Sequence, residues 1–90
     1  MTITVQIPTI MRSLTRDQKY VETKGQTIIE AIVHLEQTYP GLQQRLMQSC
    51  QLHRSVNIYI NDDDVRFNGG LSASLRDGDA ITILPAVAGG

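Results

Sequence analysis

The chain predicts an α+β fold, in which one mixed sheet carries a single main helix across one face. Three observations lead there. Ile3, Val5 and Ile7 alternate with polar residues, as do Val56, Ile58 and Ile60, and Ile81 and Ile83 repeat the pattern near the end. That is the period-two signature of strands with one buried face. Between the first and later strands, Ile28, Ala31, Ile32, Leu35 and Tyr39 fall on one stripe at helical spacing. Two strands, a helix and further strands must each bury an apolar side, and one sheet under one helix achieves this.

The elements follow in order. Strand one runs to Pro8, which cannot donate to a ladder. Gln18 to Thr23 reads as a weaker second strand, antiparallel to the first, with Gly25 turning the chain afterwards. The connection from Thr9 to Asp17 is too long and polar for a tight turn, which predicts a flexible loop. Thr27 and Glu30 form a capping box, so the helix begins at Ile28, and Pro40-Gly41 stops it. A short helical turn is expected through Leu42, Arg45 and Leu46, and a loop from Met47 to His53. The strand Val56 to Ile60 ends at Asp62-Asp63-Asp64, after which Val65-Arg66-Phe67 reads as a short returning strand. Asn68-Gly69-Gly70 breaks the chain, Leu71 to Leu75 suggests one helical turn, and Asp77-Gly78-Asp79 turns into the last strand, Ala80 to Leu84. Pro85 ends it.

Ninety residues with 41% hydrophobic content make one globular domain, read as residues 1–85, followed by a flexible tail at 86–90. A formal charge of -1 gives no basic footprint for nucleic acid or anionic lipid. Without a secretory pattern at the N-terminus or an apolar run long enough to span a bilayer, the expected location is the cytoplasm. The lone Cys50 excludes an internal disulfide.

The tail Ala86-Val87-Ala88-Gly89-Gly90 adds almost nothing to a core. Extended at about 3.3 Å per residue, five residues reach roughly 16 Å, enough to enter a partner's active-site channel. Glycine has no Cβ, so it fits a narrow channel and leaves the terminal carbonyl open to attack. By itself, the dipeptide fits a working tail and a frayed terminus equally well.

The order of elements, the Asp77-Gly78-Asp79 turn, the strand Ala80 to Leu84, Pro85 and Gly89-Gly90 resemble the β-grasp sulfur carriers, the ThiS and MoaD relatives of ubiquitin. Ile7-Pro8-Thr9-Ile10, Val56-Asn57-Ile58-Tyr59, Asp64-Val65-Arg66-Phe67 and Leu84 through Gly90 are similar to the CysO-type carriers of cysteine biosynthesis. Met47 to Leu52 has no match there. The resemblance implies a β-grasp, ubiquitin-like fold and a protein-bound cosubstrate that is not an enzyme, with no catalytic residues of its own. An E1-like adenylyltransferase/sulfurtransferase would use ATP and magnesium to adenylate Gly90, and sulfur would then displace AMP to leave a thiocarboxylate. A cysteine synthase dependent on pyridoxal phosphate would accept the sulfur, and a JAMM-type zinc peptidase would release cysteine. Pro85, Ala86, Val87, Ala88, Gly89 and Gly90 would form the segment that enters partner channels. No bound cofactor is implied. A molybdopterin synthase small subunit and a ubiquitin-like protein modifier are the alternative readings.

Other candidates have plainer explanations. Cys50 has no charged or histidine neighbour closer than His53 to activate it, so it is expected to be inert. His34 follows Glu30 by four residues, which suggests an exposed pair. His53 lacks partners at zinc spacing, and the Asp62-Asp63-Asp64 run lacks the glycine and distal glutamate of a calcium loop. Gly69-Gly70 lacks the Lys-Ser or Lys-Thr of a phosphate loop. Tyr59 and Phe67 fit either an exposed partner surface or ordinary packing.

Overall fold

A computed structural model describes residues 2–85. Strand β1 (Ile3–Gln6) and strand β2 (Tyr20–Thr23) pair antiparallel, with Val5 opposite Val21. Helix α1 (Ile28–Thr38) follows, then a short helix α2 (Leu42–Leu46). A two-stranded hairpin comes next, β3 (Met47–Gln48) with β4 (Gln51–Leu52). Strands β5 (Val56–Ile60), β6 (Asp63–Asp64) and β7 (Ala80–Pro85) complete the main sheet, whose order is β2-β1-β7-β5-β6. Only β1 and β7 run parallel within it, so the sheet is mixed as expected.

The alternation of side chains becomes burial. Ile3, Val5, Ile7, Val21, Val56, Ile58, Ile81 and Ile83 point to one face, where Ile28, Ala31, Ile32 and Leu35 of α1 close over them. Each of the Ile, Val and Leu side chains contributes about 1.5–3 kcal/mol by leaving water, so the sheet and helix hold together largely through this layer. The Thr27 half of the capping box forms as predicted, with Glu30 N–H donating to Thr27 Oγ1 at 3.4 Å. The Glu30 carboxylate reaches one residue further back and accepts from Gln26 N–H at 3.1 Å instead of from Thr27. Gly41, at φ 104°, turns the chain out of α1, and the Glu36 carboxylate accepts from the N–H groups of Gly41 and Gln43. That carboxylate supplies the cap that Gly41 lacks a side chain to give.

Four expectations are corrected. The connection after β1 is not a featureless loop: Thr9–Thr15 forms a 3₁₀ helix that buries Met11 and Thr15, and Arg12 Nε donates to Ile7 O. Met47 to His53 is not all loop, because Ser49 and Cys50 both adopt positive φ (52° and 63°) and close the β3–β4 hairpin. Residues 65–67 form a 3₁₀ turn rather than the returning strand. That strand is Asp63–Asp64, opposite Ile60 and Tyr59, and Asp64 then ends it by accepting from Arg66 N–H. Between Leu71 and Leu75 the helical turn shifts to Gly70–Ser72, since Ala73 and Leu75 are drawn into the core and Leu75 N–H donates to Gln26 O.

Candidate functional site

The base of the tail is fixed by the most supported strand in the sheet. β7 lies between β1 and β5, with Ile81 and Ile83 buried and Thr82 opposite both Gln6 and Tyr59. The ladder extends to Pro85, which stands opposite Val56, the first residue of β5. Leu84 and Pro85 are exposed, so the apolar layer ends at Ile83. The tail expected from sequence, Ala86, Val87, Ala88, Gly89 and Gly90, lies outside the described residues. Pro85 is the point from which it starts.

Beside that point, Arg66 Nη2 donates to Val56 O at 2.7 Å. This carbonyl faces the side of β5 that the short β6 does not reach, so the guanidinium satisfies an acceptor at the sheet edge. Arg66 is itself positioned by its N–H on Asp64 Oδ1 at 2.9 Å, while Asn68 Nδ2 donates to Asp64 O. Sequence reasoning did not single out Arg66. The available signal was Asp64 two residues ahead of it, a spacing at which an aspartate side chain commonly accepts from a backbone N–H.

Of the two proposed surface aromatics, Tyr59 is half-buried on the helix-free face of the sheet, the face that also carries Thr82 and Leu84. Phe67 is 84% exposed at the end of the 3₁₀ turn, so it is no ordinary core aromatic. The structure therefore separates two residues that the sequence grouped together.

The remaining polar candidates have local partners. Thr23 is buried, and its hydroxyl donates to Ala31 O at 2.9 Å. With that proton used, His34 Nδ1–H donates to Thr23 Oγ1 across 3.1 Å. His34 thus links α1 to β2 instead of forming the expected exposed pair with Glu30, whose carboxylate is turned to Gln26. His53 Nδ1 accepts from Ser55 N–H at 3.1 Å, with Ser55 Oγ 2.6 Å away. Cys50 is exposed at the hairpin tip. Among the described residues, no three His, Cys, Asp or Glu side chains gather as a metal site, and every buried side-chain polar atom has a hydrogen-bond partner. No helix of the described residues is long and apolar enough to cross a membrane.

Comparison with known proteins agrees with this layout. The ThiS family model matches residues 5–90. The sulfur carrier protein CysO of Mycobacterium tuberculosis is 54% identical over 93 aligned positions, covering 100% of both chains. The crystal structure of the Amycolatopsis orientalis BexX/CysO complex contains a chain that superposes with a TM-score of 0.93 at 53% identity, covering 98% of this chain and 99% of that one. Small archaeal modifier protein 3 of Haloferax volcanii is 36% identical over 64 residues, covering 71% of this chain and 70% of its own. Matched along nearly its whole length in both sequence and backbone, the chain belongs to the ThiS family of β-grasp, ubiquitin-like carrier proteins, which are not enzymes.

Proposed function

We propose that this chain carries sulfur as a thiocarboxylate on Gly90 and delivers it to a cysteine synthase. The observation that carries this reading is the 54% identity to a sulfur carrier protein across the full chain, with the family match running through the terminal glycines to residue 90. The chemistry requires little of the carrier. A Gly90 carboxylate oxygen attacks the α-phosphorus of ATP, pyrophosphate leaves, and the resulting acyl-adenylate is a far better electrophile than the carboxylate. Sulfide sulfur then attacks the Gly90 carbonyl and expels AMP. The thiocarboxylate sulfur is a softer nucleophile than oxygen and adds to an aminoacrylate held on the synthase's pyridoxal phosphate. An S-to-N acyl shift follows, and a JAMM-type zinc peptidase releases cysteine and restores the Gly90 carboxylate. The folded domain supplies a fixed base at Pro85 from which a short tail presents one reacting atom, so that binding of the domain positions the chemistry.

Appending one alanine after Gly90 tests this reading. The addition keeps a carboxylate and the net charge, but moves the carboxylate by roughly 3.3–3.6 Å along an extended chain. The extended protein is expected to fold normally yet support no ATP–pyrophosphate exchange with the activating enzyme, and to gain no sulfur on sulfide treatment by intact mass. Exchange at the wild-type rate would show that the Gly-Gly end is not read by position. A second reading, a ubiquitin-like modifier, draws support from the 36% identity to small archaeal modifier protein 3. It predicts isopeptide-linked adducts in native cells, which the carrier reading does not.

A further inference from the structure

A net charge of -1 conceals a strong separation of charge along the strand direction. Parallel pairing of β1 with β7, and antiparallel pairing of each with β2 or β5, brings four strand termini to the end where the tail begins. The residues at this end are basic. Arg12 is anchored on Ile7 O at 3.1 Å, just past β1. Lys19, whose carbonyl accepts from Ile7 N–H, precedes β2, and its Nζ lies 5.3 Å from the Tyr20 ring centroid. The Arg16 guanidinium lies 5.7 Å from the centroid of Tyr39, whose hydroxyl donates to Gln18. Arg54 is exposed two residues ahead of β5, and Arg66 is fixed on Val56 O beside Pro85. Three carboxylates accompany them: Asp17, Asp64, which accepts from Arg66 N–H at 2.9 Å, and Glu36 on the helix layer, which is engaged by the Gly41 and Gln43 N–H groups. Five basic residues still outnumber the acidic ones here.

The opposite end has the other sign. There Asp62, Asp63, Asp77 and Asp79 occupy the turns beside β5 and β7, and Glu22 and Glu30 lie close to the end of β2 and the start of α1. Lys24 and Arg76 are the basic residues at that end.

We infer that the five basic residues form a collar around the tail exit that docks against an acidic rim at the mouth of the activating enzyme's channel. Neighbouring strands are about 4.8 Å apart, so Arg12 on the β1 side and Arg54 and Arg66 on the β5 side flank Pro85. Lys19 immediately precedes β2, which lies two strand spacings, roughly 10 Å, from β7, a separation comparable to one Debye length at physiological salt. A carrier with its positive end at the tail and its negative end far away is oriented by an acidic mouth before contact. The tail then arrives first, and the collar accelerates encounter without taking part in the chemistry. This inference rests on the carrier reading above.

The test compares two variants of equal net charge. Lys19→Glu with Arg54→Glu reverses charge at the collar, and Lys24→Glu with Arg76→Glu makes the same change at the far end. None of the four side chains is buried, and the Lys19 backbone bond to Ile7 survives substitution. Association with the activating enzyme is measured by stopped flow across a salt series, and ATP–pyrophosphate exchange is measured at saturating carrier. The collar variant is expected to associate roughly tenfold more slowly at low salt with a flattened salt dependence, while its exchange rate at saturation is unchanged. The far-end variant is expected within about twofold of wild type. The neutral pair Lys19→Gln with Arg54→Gln is expected between wild type and the collar variant, and it supplies the comparison if charge reversal disturbs folding. Equal slowing by both reversed variants would assign the effect to net charge and overturn the collar, as would slowing by neither. Failure of wild-type protein to support exchange at any concentration would remove the carrier reading itself, and the collar with it.

Discussion

The central strands β1, β5 and β7 hold their shape by burial, whereas the connection from Tyr39 to Leu52 is shaped by hydrogen bonds and backbone dihedrals around a smaller apolar anchor. In the strands, every second residue is an Ile or Val under α1, and moving the register by one would expose the whole set. In the connection, Leu42 and Leu46 are buried, but the path between and beyond them depends on the Glu36 carboxylate and on two non-glycine residues at positive φ. The first kind of order is redundant, because many side chains specify it together. The second hangs on single groups.

The largest effect that could break this contrast is expected at Ile58, which is 1% exposed at the centre of β5. Ile58→Ala removes buried methylenes and leaves a cavity, so urea unfolding should show a loss of about 2–5 kcal/mol with an unchanged m-value. A loss below about 1 kcal/mol would mean that burial is not what fixes the sheet.

An intermediate effect is expected at Glu36. Glu36→Ala strips the acceptor from the Gly41 and Gln43 N–H groups, which should cost about 1–2 kcal/mol. Glu36→Gln, which keeps one carboxamide oxygen, should cost less. Hydrogen exchange at the two amides sharpens the point: they should lose protection in the alanine variant while Val5 and Ile58 keep theirs. Uniform loss across the sheet would show that the connection and the strands are one cooperative unit.

The smallest expected effect is a gain. Cys50 adopts φ 63°, a conformation that costs an L-residue roughly 1–2 kcal/mol, and glycine relieves it at some loss of chain entropy. Cys50→Gly should therefore raise stability by about 0.5 kcal/mol, visible as a slightly higher Tm. Because Cys50 is not part of the proposed chemistry, thiocarboxylate formation on Gly90 should be unchanged, and its loss would return the thiol to the mechanism.

The same contrast decides what could be read from the sequence. Ile3, Val5, Ile7, Val56, Ile58, Ile81 and Ile83 are legible because strand alternation and burial have the same period, and Thr27 with Glu30 is legible because a cap has fixed spacing. Met11 and Thr15 are buried by a 3₁₀ helix whose short span gives no amphipathic period to detect. Ser49-Cys50 closes a hairpin without the Asn-Gly or Gly that normally announces one. His34 looked exposed from its helical position alone, since its partner Thr23 is on another element. For the candidate site, the sequence pointed to Gly90 through its terminal glycines and family resemblance. The collar is not legible, because Arg12, Arg16, Lys19, Arg54 and Arg66 are scattered along the chain and come to one end only through the strand register.

The adjacency of β1 and β7 also bears on synthesis. These strands are the first and last of the domain, yet they are neighbours at the centre of the sheet, so their pairing closes a loop of nearly the whole chain. Contacts that distant form late and slow folding. On the ribosome, β1, β2 and α1 emerge well before the strand that must lie between β1 and β5, and until it arrives Ile3, Val5, Val56 and Ile58 have no completed layer to occupy. A nascent chain that stops short of β7 leaves an open gap in the middle of its sheet instead of a frayed edge. Folding thereby acts as a proofreader of length: a domain that has closed has already been translated through the strand that bears the tail.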